Sequence, residues 1–367
     1  MSSVSFQNFH GNHETIARIR EMLARDRFPH AVILSGAEGA GKYTLAQMIA
    51  KALNCLEPPK PGGLPDFCGH CRNCTRIAQA DDLDTRFNEA VETREAMREA
   101  DKREARVIVQ THPEVIVVPP DPPQMLIKLG QVRLVIDRVF YKPVEARRKV
   151  AIFTESSFMK EAAHSLLKVL EEPPEYATLI LLSTNPGELL PTIRSRCVTF
   201  TLGALPVGEL DQALASSRKD LKPAQRELVA RLANGAMGRA LSFKLEEYVE
   251  ARASALAVLR SAASGSEHSE LFKITETYRA GAEGRDKTDR LLRTLYALLE
   301  DLLMLKSQTP ELVRNTDIRG ELGRLAETVD FDWILAASQR LVEVERGMRR
   351  NLLRSLSLDA FATSLER

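Results

Sequence analysis

The tightest constraint on the fold of this chain is a nine-residue run near its start, Gly36-Ala37-Glu38-Gly39-Ala40-Gly41-Lys42-Tyr43-Thr44. It follows the apolar run Ala31-Val32-Ile33-Leu34 and precedes Leu45-Ala46-Gln47-Met48-Ile49-Ala50, which has helical character. A strand, a loop reading G-x-x-x-x-G-K and a helix in that order let backbone N–H groups curl around a phosphate at a helix N-terminus, while the lysine adds a point charge. Gly36, Gly39, Gly41, Lys42, Tyr43 and Thr44 are therefore the candidate nucleotide-binding residues, with ATP or ADP as the ligand.

A strand feeding such a loop belongs in a parallel sheet, and further runs of the right kind follow. They are Val115-Ile116-Val117-Val118, Val150-Ala151-Ile152-Phe153, Leu179-Ile180-Leu181-Leu182 and Val198-Thr199-Phe200-Thr201. Each is too short for a helix and nearly continuous in apolar character, as expected of strands covered on both faces. Helical stretches separate them, so residues 1–203 are expected to form a parallel α/β domain. Past Gly203 the strand runs stop. Leu291-Leu292, Leu295, Leu298-Leu299 and Leu302-Leu303 repeat at helical spacing on one face. A small helical domain over 204–247 and an all-α domain over 248–367 complete the expected plan.

The loop departs from its pattern at one position. Ser or Thr should follow the lysine to offer Mg²⁺ a short hydroxyl, and Tyr43 stands there. A phenol is too long to replace it, and Thr44 comes one residue late. In ATPases with this loop an Asp after a later strand also holds the metal. After Val150–Phe153 the chain reads Thr154-Glu155, so Thr154 occupies the aspartate's place while Glu155 remains as a candidate catalytic carboxylate. Mg²⁺ is expected to be poorly held.

Four of the five cysteines fall at Cys55, Cys68, Cys71 and Cys74. Two C-x₂-C steps aim pairs of thiolates at one ion, the tetrahedral donor set that Zn²⁺ prefers. Four protein ligands leave no open position, which predicts a structural zinc; His70, between ligands, stays free. Residues 81–106 hold 9 acids and 6 bases and are expected to form a solvated helix or a partly disordered insertion.

Composition narrows the function classes. Lys plus Arg number 51 and Asp plus Glu 50, so the net charge is 51 − 50 = +1, which excludes a polybasic nucleic-acid coat. Aromatic residues make up 5%, too few for base-stacking platforms to be the main chemistry. Apolar runs are much shorter than the ~20 residues of a spanning helix. The start Met1-Ser2-Ser3-Val4-Ser5-Phe6 lacks a signal-peptide pattern, and clustered cysteines suit a reducing compartment. No membrane contact and a cytoplasmic location are expected.

Further runs carry a family resemblance. Ala162-Ala163-His164-Ser165-Leu166-Leu167-Lys168-Val169-Leu170-Glu171-Glu172-Pro173-Pro174 is followed by Ser183-Thr184-Asn185-Pro186 and by Leu190-Pro191-Thr192-Ile193-Arg194-Ser195-Arg196-Cys197. Together with the phosphate loop and the cysteine knuckle, residues 6–245 resemble the bacterial clamp-loader AAA+ ATPases of DNA polymerase III. The run from Arg350 to Leu358 looks more loosely like the last helix of that family's collar. The resemblance implies a P-loop AAA+ domain with a zinc knuckle, then a helical lid and an all-α collar. Within the family the altered sites resemble the delta prime branch, which has usually lost hydrolysis. Gly238, in Asn234-Gly235-Ala236-Met237-Gly238, stands where gamma subunits place a sensor arginine, and His164 replaces a usual Asn.

By that resemblance the chain is a largely non-hydrolysing member of a ring that loads the sliding clamp onto primer–template DNA during replication. Its partners would be the gamma/tau and delta subunits. Arg196 would be an arginine finger, neutralising phosphoryl charge in a neighbouring gamma subunit. The competing expectation is a hydrolysing gamma/tau-like ATPase, which should keep both magnesium ligands. Cys197 is expected to be a small buried residue rather than a reactive thiol.

Overall fold

The computed structural model describes residues 5–264, 281–349 and 354–365. Six strands, β1 (Ala31–Gly36), β2 (Val109–His112), β3 (Val115–Val118), β4 (Lys149–Phe153), β5 (Ala177–Ser183) and β6 (Val198–Leu202), form one sheet in the order β2-β3-β4-β5-β1-β6. Side chains alternate along each strand, and that alternation divides the interior in two. Val32 and Leu34 join Ile152, Ile180 and Leu182 on one face; Ala31 and Ile33 join Phe153, Leu179 and Leu181 on the other. Strand β1 is buried at every position because β5 and β6 flank it and helices cover both faces.

Those helices follow from the sequence pattern. Helices α1 (His13–Ala24) and α2 (Lys42–Asn54) contribute Ile16, Ile19, Leu45, Met48 and Ile49 to the first face. Between strands β1 and β2 the chain also forms α3 (Arg72–Ala78), α4 (Leu83–Glu95) and α5 (Glu99–Glu104). Helices α6 (Leu129–Val139) and α7 (Lys160–Glu171) contribute Val132, Val135, Leu166 and Val169 to the second face. Each fully buried Leu, Ile or Phe contributes about 1.5–3 kcal/mol relative to exposure.

The sequence leads one to expect a parallel sheet, and the structure departs from that at one edge. Strand β2 pairs antiparallel with β3, while the remaining pairs are parallel. Only Pro113 and Glu114 separate β2 from β3, a link too short for a parallel crossover. The charged segment 81–106 is helical over α4 and α5, and Asp82 caps the first of these by accepting from the Thr85 N–H at 3.2 Å.

Contacts divide the chain into two units, Met1–Leu210 with Gly235–Arg239, and Asp211–Asn234 with Ala240–Arg367. The second unit is helical among its described residues and includes Leu245–Ser264, Gly281–Lys306, Arg319–Thr328, Phe331–Arg349 and Arg354–Thr363. The expected leucine face is its core: Leu291, Leu292, Leu295, Leu298, Leu299 and Leu302 are buried with Trp333, Leu341 and Phe361. Of the run likened to a collar helix, Arg350, Asn351, Leu352 and Leu353 lie outside the described residues. No helix among the described residues is long and apolar enough to cross a membrane.

Candidate functional site

Two candidate sites hang on the ends of α2. At its N-terminus the phosphate loop runs from Gly36 to Gly41. Gly39 and Gly41 take φ values of +76° and +90°, a region where a Cβ would be strained. Space excludes a side chain too: a Cβ on Gly39 would lie 2.8 Å from the Arg239 backbone nitrogen. The Gly238 N–H donates to the Gly39 carbonyl at 2.8 Å, and a Cβ on Gly238 would meet that same oxygen. A larger residue at 238 is thus excluded by the loop itself.

A cavity of about 450 Å³ opens beside the loop, and Gly39, Gly41, Lys42, Thr44, Thr154 and Glu155 are among the residues lining it. Thr44 is exposed there. The Lys42 ammonium donates to the Gly36 and Ala37 carbonyls at 2.7 and 2.8 Å, so it is held over the loop. Burial lowers its pKa against the opposing pull of Glu155 and Glu38. Burial raises the pKa of Glu155; Lys42 opposes this, and Glu38 and Glu188 add to it. Loop amides, an ammonium and a nearby carboxyl can bind a phosphate chain and place one acid–base group beside it.

Tyr43 does not offer its oxygen to a phosphate-bound metal. Its hydroxyl donates to the Ala80 carbonyl at 2.5 Å and accepts from the Gln47 amide at 2.7 Å. Burial raises its pKa well above that of an ordinary phenol. Thr154 lies at the end of β4 on the cavity wall, with no carboxylate to give. Arg196 follows the short helix α8 (Pro191–Arg194) and is not among the residues lining the cavity. Its guanidinium donates to the Thr192 carbonyl at 2.9 Å and pairs with Glu171 at 2.8 Å while remaining one-third exposed. Burial pushes the neighbouring Cys197 thiol up to about 12, which leaves it protonated and inert.

At the other end of α2, Cys55, Cys68, Cys71 and Cys74 converge. Their sulfurs lie within 4.8 Å of one another, so the four thiols are placed to hold a metal ion. Zn–S bonds of ~2.3 Å put tetrahedral sulfurs ~3.8 Å apart, a set these side chains reach with small adjustments. Backbone N–H groups already point at the sulfurs, Cys68 N to Cys55 Sγ at 3.3 Å and Cys71 N to Cys68 Sγ at 3.2 Å. At Cys71, burial raises the pKa, but N–H groups of Leu56 and Cys74 outweigh it and bring the thiol to about 6. His70 is exposed and outside the cluster. Arg20 of α1 fastens the module by donating to the Pro61, Leu64 and Pro65 carbonyls at 2.9, 2.7 and 3.1 Å.

Leu83, Asp84 and Phe87 of α4 also line the phosphate-loop cavity, a placement that reading along the chain misses. The available signal was an i, i+4 pair of apolar residues, Leu83 and Phe87, inside a run of charges.

Residues 11–206 match the family model described as DNA polymerase III, delta subunit. The tau/gamma subunit of DNA polymerase III from Haemophilus influenzae is 31% identical over 64% of this chain and 29% of its own length. The delta' subunit from Bacillus subtilis is 28% identical over 64% of this chain and 60% of its own length. The chain thus spans about a third to under two thirds of the length of these relatives. A gamma subunit-related structure from Thermotoga maritima matches over 95% of this chain and 99% of its own, at 18% identity and a TM-score of 0.37, too loose to bear on function. With more than half its length under one family model, the chain belongs to the DNA polymerase III delta-subunit family, and its relatives include delta', tau and tau/gamma subunits of that polymerase.

Proposed function

We propose that this chain is a delta prime-type clamp-loader subunit, a largely non-hydrolysing AAA+ member that helps load the sliding clamp on primed DNA in the cytoplasm. The observation that carries this is Tyr43. The residue at the magnesium position spends its hydroxyl on Ala80, and Thr154 brings no carboxylate to replace it. Hydrolysis needs Mg²⁺ to bridge β- and γ-phosphates, whereas binding can rest on Lys42 and the loop amides. Gly238, which admits no side chain, is a third departure from a working site.

Residues 1–203 would be the AAA+ domain, 204–247 its lid and 248–367 the collar that joins the gamma/tau and delta subunits. Cys55, Cys68, Cys71 and Cys74 would hold one structural Zn²⁺, which would fix the loop after α2 rather than act on substrate. Arg196, outside its own cavity and partly exposed, would serve the ATP of a neighbouring gamma subunit. The test mixes the purified chain with the gamma/tau and delta subunits of its own organism. A stable complex is expected, with clamp loading dependent on this chain and negligible ATP turnover by the chain alone.

The second reading is a hydrolysing gamma/tau-like ATPase. Its support is an intact Lys42 with Glu155 in the cavity, and a slightly higher identity to tau/gamma relatives than to delta'. Turnover by the isolated chain at ~1 s⁻¹ or faster, abolished by Lys42→Ala, would select it.

A further inference from the structure

The charged insertion stands against the phosphate site, and Tyr43 is what ties it there. Along α4, positions 83, 86, 87, 90, 91 and 94 are half-covered while the positions between them are exposed. That is a helical face, and its first turns bring Leu83, Asp84 and Phe87 to the cavity that also holds Lys42 and Glu155. Both ends of the helix are fastened. Ahead of it, Tyr43 donates to the Ala80 carbonyl and Lys51 pairs with Asp81 at 2.6 Å. At its far end Arg94 bonds Asp121 at 2.6 Å, with side chains only 12% and 4% exposed. The substitution that withdraws a metal-binding hydroxyl thus also anchors the segment that walls the site.

The wall changes the charge of the site. Glu38, Asp84 and Glu155 face the cavity with Lys42, so the insertion adds a third carboxylate to a single ammonium. Among the described residues the four cysteines are the one group of three or more metal-binding side chains whose donor atoms converge, so Glu38, Asp84 and Glu155 do not come together on a single cation. Phe87 and Leu83 take up space beside the loop. We infer that Tyr43 and helix α4 act as one device that disfavours a nucleoside triphosphate in this cavity, more than a diphosphate. The inference rests on reading Gly36–Lys42 as a nucleotide loop and deepens the proposed loss of hydrolysis by naming what controls occupancy.

The test uses the full-length chain and fluorescent N-methylanthraniloyl analogues of ATPγS and ADP, each with and without Mg²⁺. Asp84→Asn combined with Phe87→Ala removes charge and bulk from an exposed helix without touching the loop or the cysteines. This double variant should bind the triphosphate analogue about tenfold more tightly than wild type, 1.4 kcal/mol, and gain less for the diphosphate. Adding Lys42→Ala should erase the gain. Tyr43→Ser should tighten triphosphate binding in the same direction and speed amide exchange across residues 83–95. If Tyr43→Ser does not fold, the double variant decides alone. Equal triphosphate affinity in the double variant and wild type overturns the inference, and so does undetectable binding in both. A gain that survives Lys42→Ala overturns it too, because the probe then sits elsewhere. Assembly with the other subunits is scored separately, so a chain that assembles normally but shows no gain loses this inference and keeps the proposed function.

Discussion

The two ends of α2 carry two kinds of site, and only one of them keeps its full set of side chains. The phosphate loop is built mainly from main chain: glycines at positive φ, loop amides and one lysine. The cysteine cluster is built from four side chains that must all arrive together. A main-chain site can lose the side chains that served a metal and still keep its shape, as Tyr43 and Thr154 illustrate. A side-chain site tolerates no such drift, because three thiolates leave the ion an open position and the fold a loose loop.

The sharpest break in that comparison is expected from Cys74→Ser. Cys74 is fully buried beneath the module, and structural zinc contributes ~10–16 kcal/mol to the folding of zinc-finger peptides. The variant should purify without stoichiometric zinc and lose cooperative unfolding in the first unit, as read by elemental analysis and thermal melts. Gly39→Val attacks the other end of the helix. A Cβ at φ +76° and 2.8 Å from the Arg239 nitrogen should cost of order 1–3 kcal/mol. Melting temperature should fall while zinc content stays at wild type; loss of zinc as well would show that the two ends are not independent.

Arg196→Ala should hardly move stability, since an exposed pair such as Arg196–Glu171 is worth ~0–1 kcal/mol. If Arg196 acts on a neighbour's ATP as proposed, the variant should slow ATP hydrolysis and clamp loading by the assembled complex in part only, since that reading leaves the other ATP sites with fingers of their own. Fingers serving a single site are worth ~10³–10⁵ in rate. Arg196→Lys should rescue poorly, since an ammonium lacks the planar fork. An unchanged loading rate would leave Arg196 as a surface cation.

The smallest expected effect concerns His112, which joins the cysteine module to the sheet. Its Nδ1 accepts from the Glu114 N–H at 3.1 Å, so its Nε2 carries the proton toward Asn73 Oδ1 at 3.2 Å. Burial, helped by Arg76, lowers its pKa from the ordinary 6.5 despite Glu114 and Glu145. The unfolded chain therefore binds the proton first, and stability should fall as pH drops below 6.5. His112→Gln should show a flatter decline than wild type over that range in denaturant titrations.

Local pattern carried much of this molecule. The strand, loop and helix around Lys42, the C-x₂-C steps and the leucine face from Leu291 to Leu302 each lie within a few turns or strand residues of themselves. Their spacing matches the periods of backbone geometry, 3.6 and 2, and so can be read without knowing the chain's path. The antiparallel edge strand β2 escaped because its Val-Gln-Thr-His run is half-covered and lacks a continuous apolar signature.

What only the tertiary structure decided is where distant residues meet. Tyr43 finds Ala80 across 37 residues, Arg94 finds Asp121 across 27, and Arg196 finds Glu171 across 25. No periodicity links such pairs. The sequence by itself determined that a phosphate loop and a four-thiol cluster would form and that the loop's metal ligands were altered. That the altered tyrosine holds a charged helix against the site was decided by packing, because a side chain's partner depends on the path of the whole chain and its own residue type fixes only what it can bond.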